Sequence, residues 1–410
     1  TVQTVGINNY GQLGDGTYIN ESSPIGLAGG HTGISSVSSG AWHSIFVKND
    51  GTVWAAGNNN FGELGDGTTI NRTIPVQVIG LTGITSVATG DAHSLFLKID
   101  GTAWAVGANT DGQLGDGTNI TKSIPVQVPD LNGIIAVVAG GGHSLFLKND
   151  GTVWSSGWNI SGQLGDGTTV SKSSPVQVLG LTGIIAMSGG SRFSLFLKNN
   201  GTVWAAGYNG FGQLGDGTTI DRSVPVQLSG LAGISELSGG NTHSIFRKND
   251  GTVWAVGYNN YGQLGDGTNI AKITPFQIPG LEGINSISAG NFHSLFLKND
   301  NTVWVVGYNN AGQLGDGTTV NKKFPVQVIG LCSVSLDIDK NSITYPISVY
   351  PNPFCEQLFV ESEEYQNTTT EIFNLQGQLL QSIRLQTFKT TLQTDYLASG
   401  IYLVQLKSPK

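Results

Sequence analysis

The sequence predicts an all-β protein: a seven-bladed β-propeller of four-stranded blades, about 50 residues per repeat, followed by a small β-sandwich tail. Three observations predict it. The block Gly-Gln-Leu-Gly-Asp-Gly-Thr starts at Gly11, Gly112, Gly162, Gly212, Gly262 and Gly312, with a Glu-for-Gln version at Gly62. Such a long period marks a repeat architecture, in which each unit buries its apolar face only against its neighbours. Between the blocks, short apolar runs alternate with Gly, Pro and Asp-Gly turns, and no helical period persists over ten residues. Beyond residue 340 the pattern stops: glycine thins out while Glu, Gln and Thr rise.

Residues 75–107 illustrate one repeat. Pro75-Val76-Gln77-Val78 reads as a short strand opened by proline, a position a strand tolerates. After the turn Leu81-Thr82-Gly83, Ile84-Thr85-Ser86-Val87-Ala88 is a second strand, and Ser94-Leu95-Phe96-Leu97-Lys98 a third. Asp100-Gly101 supplies the positive φ of a tight hairpin into the fourth strand, Thr102-Ala103-Trp104-Ala105-Val106. The glycine-rich block then forms a long loop. Closure asks for a seventh blade with its first strand at Pro325–Val328 and its fourth in residues 1–6, where Gln3 takes the Trp place. The third-strand motif Ser-Leu/Ile-Phe occurs only at Ser44, Ser94, Ser144, Ser194, Ser244 and Ser294. The seventh copy is absent unless Val334–Ile338 substitutes, so the expectation is that about a dozen residues once preceded Thr1.

The pattern Gly-x-x-His-Ser-Leu-Phe-Leu-Lys-x-Asp-Gly-Thr-Val-Trp, then Gly-x-Asn-x-x-Gly-Gln-Leu-Gly, resembles the regulator of chromosome condensation repeat family over residues 1–331. The resemblance implies the propeller fold. It also offers function classes: a binding scaffold, a guanine-nucleotide-exchange regulator of a GTPase, or a secreted enzyme inhibitor. After a linker at 332–345, residues 346–410 show Tyr350-Pro351-Asn352-Pro353, a central turn at Gln376-Gly377, and Gly400-Ile401-Tyr402. In that order they resemble the C-terminal sorting domain of the Bacteroidetes type IX secretion system. That resemblance implies export through its machinery to the medium or the outer-membrane surface, with the tail removed or exchanged for a lipopolysaccharide anchor.

Charged residues are 12% of the chain, against about 25% in typical domains, and the net charge is −8. With no basic patch, nucleic acid is not an expected partner. No run of 18 apolar residues forms a membrane span. Thr1 is not an initiator Met, so the chain reads as processed or cut from a longer one. Cys332 and Cys355 could pair, but two cysteines are no disulfide framework.

Features repeated in every unit read as scaffold. Each glycine-rich block offers a single aspartate (Asp15, Asp66, Asp116, Asp166, Asp216, Asp266, Asp316), too few carboxylates for calcium and well suited to capping a turn. His43, His93, His143, His243 and His293 share a column that has Phe193 in the fourth unit, and read as half-buried residues bonded to a neighbouring turn. The column Trp54, Trp104, Trp154, Trp204, Trp254, Trp304 reads as core between blades. No catalytic constellation emerges, so the chain is expected not to be an enzyme, and no cofactor is expected. Binding is sought where the units differ. One variable column is the residue before His, including Trp42, Arg192 and Phe292; another follows the fourth-strand Gly, including Trp158, Tyr208, Tyr258 and Tyr308. These loop residues are candidates for holding a protein or glycan at one propeller face, and their types are common at binding hot spots. The sequence-based conclusion is a secreted or surface-attached, non-catalytic binding propeller.

Overall fold

The protein is described by a computed structural model over residues 2–331, 347–350, 357–362, 369–374, 378–385, 387, 389–394 and 402–407. It divides into two compact units, Thr1–Val328 and Ile329–Lys410.

The first unit begins with a two-stranded antiparallel sheet of β1 (Gln3–Gly6) and β2 (Glu21–Gly26). The first full blade follows, with β3 (Ile34–Ser39), β4 (His43–Lys48), β5 (Val53–Gly57) and β6 (Arg72–Gln77) hydrogen-bonded in that order. Five more four-stranded sheets repeat it over 84–127, 134–177, 184–227, 234–277 and 284–327. Inner strands of successive blades touch and line the central channel. The second strand is buried on both faces from His43 to Val47, which is why it reads as an unbroken apolar run and not as an alternation. The outer strand is half-exposed, and there a proline such as Pro75 leaves no ladder bond broken.

This order corrects the expected phase of the blade. The Pro strand pairs with the Trp strand before it, Trp54 opposite Gln77, and is the outer strand of that blade, not the first of the next. Likewise Lys322–Gln327 pairs with Val303–Gly307, and residues 3–6 pair with Glu21–Gly26, so the two segments expected to share a seventh blade lie in different sheets. The long glycine-rich loop is the physical reason. Its aspartate and asparagine fold it into a compact clasp that returns the chain to its own sheet. Asn59 Nδ2 donates to Asp66 Oδ1 (3.0 Å) and the Thr68 carbonyl (3.2 Å), while the Leu64 N–H donates to Asn59 Oδ1 (3.0 Å). Asp66 accepts the Thr68 N–H at 2.9 Å and pairs with Arg72 at 2.7 Å. Burial alone would raise the Asp66 carboxyl; the bonds from Thr68, Arg72 and Asn59 outweigh it and hold the pKa below its ordinary value. The aspartate column is thus a turn-capping column.

Each clasp also grips the next blade. The N–H of Gly67 donates to the Ser123 carbonyl of the neighbouring outer strand at 3.0 Å, and Gly117, Gly167, Gly217 and Gly267 do the same to Ser173, Ser223, Ile273 and Lys323. The two ends meet in the same way: Gly317 donates to Ser22 in β2 (3.1 Å), and Gly16 to Thr73 in β6 (2.9 Å). Seven clasps therefore close a ring in which the seventh place holds two described strands. Beside that place Val37 is 53% exposed, whereas its counterparts Val87 and Val137 are 8% and 4% exposed.

Packing between blades is apolar, with clusters such as Ile45, Val53, Val78, Ile84, Phe96 and Val106. The Trp column is only half-buried: Trp104 packs against that cluster on one side and carries Lys98 over its ring at 4.6 Å on the other. The histidines also depart from expectation. Four of the five are fully buried and bond to a strand, not a turn, while His293 is half-buried. His43, His93, His143 and His243 meet Ser94, Ser144, Ser194 and Ser294 of the next blade at 2.9, 3.1, 2.9 and 3.0 Å. Ser194 Oγ in turn donates to the Gln163 carbonyl at 2.7 Å, so its lone pair accepts the His143 Nε2–H.

The second unit contains two three-stranded antiparallel sheets. One joins Ile347–Tyr350, Gln357–Ser362 and Lys389–Gln393; the other joins Leu379–Arg384, Thr369–Asn374 and Tyr402–Lys407. Val360 and Leu392 are buried in the first, Thr370 and Ile372 in the second. Tyr350 and Tyr402 fall within strands; Pro351, Asn352, Pro353, Gly377, Gly400, Ile401, Cys332 and Cys355 lie outside the described residues.

Candidate functional site

Antiparallel order places two loops of every blade at the same end of the ring: the one joining inner and second strands, and the start of the clasp after the third strand. Their backbones are tied together. The Tyr208 N–H donates to the Arg192 carbonyl (2.8 Å), Trp158 to Gly142 (2.8 Å), Tyr258 to Thr242 (2.9 Å) and Tyr308 to Phe292 (2.9 Å). Gly57 makes this juncture possible in the first blade. Its φ is 113°, and a Cβ there would meet the Trp42 carbonyl at 2.5 Å.

The two variable columns therefore converge in space. Tyr208, Phe211, Tyr258, Tyr261, Phe292 and Tyr308 form a continuous aromatic arc across three blades. Successive centroids lie 6.1 Å (Tyr208–Phe211), 4.8 Å (Phe211–Tyr258), 6.2 Å (Tyr258–Phe292) and 6.4 Å (Phe292–Tyr308) apart, with Tyr261 5.4 Å from Phe292 and 4.8 Å from Tyr308. The rings meet edge-on or tilted, the favoured geometry for aromatic pairs. Trp42 stands apart from the arc, 38% exposed and 5.4 Å from Tyr10. Arg192 lies over the Trp158 ring at 4.5 Å.

The loops surround a central cavity of about 1070 Å³, lined among others by Trp42, Asp91, Ser191, Asn241, Phe292 and Tyr308. Asp91 opens onto it, and desolvation by the surrounding ring raises its pKa. A smaller cavity of about 340 Å³ is bounded by Ser191, Arg192, Tyr208, Asn241 and Thr242. Among the described residues no three His, Cys, Asp or Glu side chains gather as a metal site requires.

Of the candidates from sequence, Tyr208, Tyr258, Phe292 and Tyr308 share the arc, Trp158 and Arg192 form a pair, and Trp42 belongs to neither group. Tyr10, Phe61, Phe211 and Tyr261 escaped the sequence reading. They stand in a third variable column, three residues beyond Ile7, Asn58, Tyr208 and Tyr258, where the other units have Asp111, Ser161 and Ala311. The same criterion of difference among repeats would have found them.

The Regulator of chromosome condensation (RCC1) repeat matches residues 2–47, 50–97, 100–147, 150–197, 200–247, 250–297 and 300–338. A Secretion system C-terminal sorting domain matches residues 348–410. Among solved structures, human WBSCR16 is similar with 26% identity over 80% of this chain and 94% of its own, at a TM-score of 0.71. Prp20p from Saccharomyces cerevisiae, described with binding properties to Gsp1p and histones, is similar with 21% identity over 85% of this chain and 87% of its own, also at a TM-score of 0.71. At that identity the likeness to the yeast protein speaks for the fold.

Proposed function

This chain belongs to the regulator of chromosome condensation repeat family and ends in a type IX secretion sorting domain, and from that premise we propose that it is an exported, non-catalytic binding propeller whose aromatic end holds an extracellular partner, a glycan or a protein. The observation that carries the reading is the arc from Tyr208 to Tyr308, built from columns in which the repeats differ. Phe211 is exposed and the other rings are half-buried, so the arc lies outside the buried core between blades and offers apolar contact area at one end of the ring. The tail supports release to the medium or attachment at the outer-membrane surface, and it weighs against an exchange factor acting on an intracellular GTPase. The acidic chain supports a partner other than nucleic acid.

The test has two parts. Cell fractionation of the native host with intact-mass measurement should find the propeller outside the cell, without the tail or with it modified; a full-length cytoplasmic species would overturn the export reading. Replacing Tyr261 and Phe292 together by Ala should weaken retention of purified envelope glycans or envelope proteins by about tenfold or more, the loss expected when central hot-spot rings are truncated. Unchanged retention would remove the aromatic arc from the binding face.

A further inference from the structure

Around the small cavity beside the arc, residues that touch its walls leave the repeat pattern together. Gly142 stands where sister units carry Trp42, Ala92, Arg192, Thr242 and Phe292. Its φ lies outside the left-handed region, so the backbone does not demand glycine; what it provides is space. A Cβ at 142 would sit in ordinary contact with Trp158 atoms at 3.4–3.5 Å, so the indole packs directly over a residue that carries no side chain. Trp158 then carries the Arg192 guanidinium over its ring at 4.5 Å. Beside Tyr208, Gly210 replaces the Asn9, Asn60, Thr110, Ile160, Asn260 and Asn310 of the other units. Its backbone is likewise ordinary, and a side chain there would collide with the Tyr208 hydroxyl. Gly210 thus makes room for the Tyr208 ring, and Trp158 holds the Arg192 cation on its face.

That cation lacks a counter-charge. Arg72, Arg222 and Arg247 are paired with Asp66, Asp216 and Glu236, whereas the described contact of Arg192 is the indole face. Arg192 is exposed and is the single Lys or Arg in the loops of this end. Ser191, Tyr208, Asn241 and Thr242 surround it with hydroxyls and an amide. A guanidinium resting on an indole face keeps N–H groups for the fork that matches a carboxylate. The Tyr208 and Asn241 N–H groups are already bonded to Arg192 and Asn291 carbonyls, so at these points no backbone edge is open for an extended peptide to pair with. Hydroxyl and amide walls, a cavity of about 340 Å³ and the adjoining aromatic rings suit a sugar ring.

We propose that this cavity is a carboxylate subsite for an acidic glycan, with Arg192 receiving the carboxylate of a uronate and the arc from Tyr208 onward receiving the neighbouring sugars. The inference rests on the aromatic end being the binding face. It is tested on the full chain with an array of uronate oligosaccharides (galacturonate, glucuronate, mannuronate and guluronate), each beside its carboxyl-reduced counterpart, and with a glutamate-rich peptide of equal charge. At least one uronate oligomer should bind about tenfold or more tightly than its reduced counterpart. Arg192→Gln should abolish that difference, and Gly210→Asn, which leaves the cation in place but displaces Tyr208, should weaken the uronate and its reduced counterpart alike while the difference between them persists. Circular dichroism should show both variants folded. Equal binding of acidic and reduced oligomers, lost in the Tyr261→Ala/Phe292→Ala variant, would overturn the carboxylate subsite and leave the aromatic face standing. Arg192-dependent binding of the peptide above every uronate would overturn the glycan. Failure to prefer any uronate, with envelope retention insensitive to Tyr261 and Phe292, would overturn both.

Discussion

Replacing His143 by Phe should make the propeller less sensitive to acid. The imidazole is fully buried, gives its Nε2–H to Ser194 across the blade junction, and leaves Nδ1 without a partner. Burial pushes its pKa down to about 3, and those of His43, His93 and His243 to about 3, 4 and 3. In the unfolded chain each returns to about 6.5. The native state therefore refuses a proton that the unfolded state accepts. Stability is fully present above pH 6.5 and is lost as the pH falls toward the folded values. At pH 5 an unfolded histidine is nearly all protonated, and the difference amounts to about 2 kcal/mol per residue, or about 8 kcal/mol for the four. That is comparable with the whole stability of many domains, so the ring should be acid-labile near pH 5. Phe is the natural control, because Phe193 fills the same column while Ser244 beside it keeps its bond to the Gln213 carbonyl at 2.8 Å. Urea unfolding at pH 8 and pH 5, at constant ionic strength, should show the acid-induced loss shrinking by about 2 kcal/mol in His143→Phe, with the pH 8 value within about 1 kcal/mol of the parent. An unchanged loss between the two pH values would refute the reasoning.

Glu63→Gln should stabilise the chain at alkaline pH. Burial raises the Glu63 pKa and its Oε1 has no partner, so the native state holds a proton that the unfolded state releases; stability falls as pH rises, and Gln, the residue of the sister units, removes that fall. Thermal melts should show a gain at pH 8 that vanishes near pH 4. Ser194→Ala should destabilise more than Ser244→Ala, by about 1 kcal/mol in urea midpoints, because only Ser194 also receives a histidine N–H. Gly57→Ala should cost about 2 kcal/mol or more, given its φ of 113° and the nearby Trp42 carbonyl, and equal melting temperatures would contradict the strain.

Strands and turns were legible because their signals are local: Asp-Gly hairpins, β-branched runs and a fixed period. The phase of the blade was not. Gln77 and Ile84 are separated by a short turn, which favours pairing them as a hairpin, while Trp54 and Gln77 are separated by the long clasp. The pairing is decided by Asn59 and Asp66 folding that loop, a tertiary effect that strand patterns do not carry. At the candidate site, comparing units located Arg192, Trp158 and the tyrosines but not their meeting. Gly142 and Gly210 looked like two more glycines in a glycine-rich chain, and only the aromatic ring packed against each distinguishes them.

The clasps have a mechanical consequence. In a straight stack of repeats every junction is a single point of failure: cut one, and the molecule becomes two. Here each blade is gripped from one side and grips on the other, with the last clasp returning to Ser22 and the first gripping Thr73. Breaking any one junction opens the circle into a strip whose members remain fastened to one another. A protein that meets proteases and dilution outside the cell gains from an architecture in which a first injury leaves it in one piece.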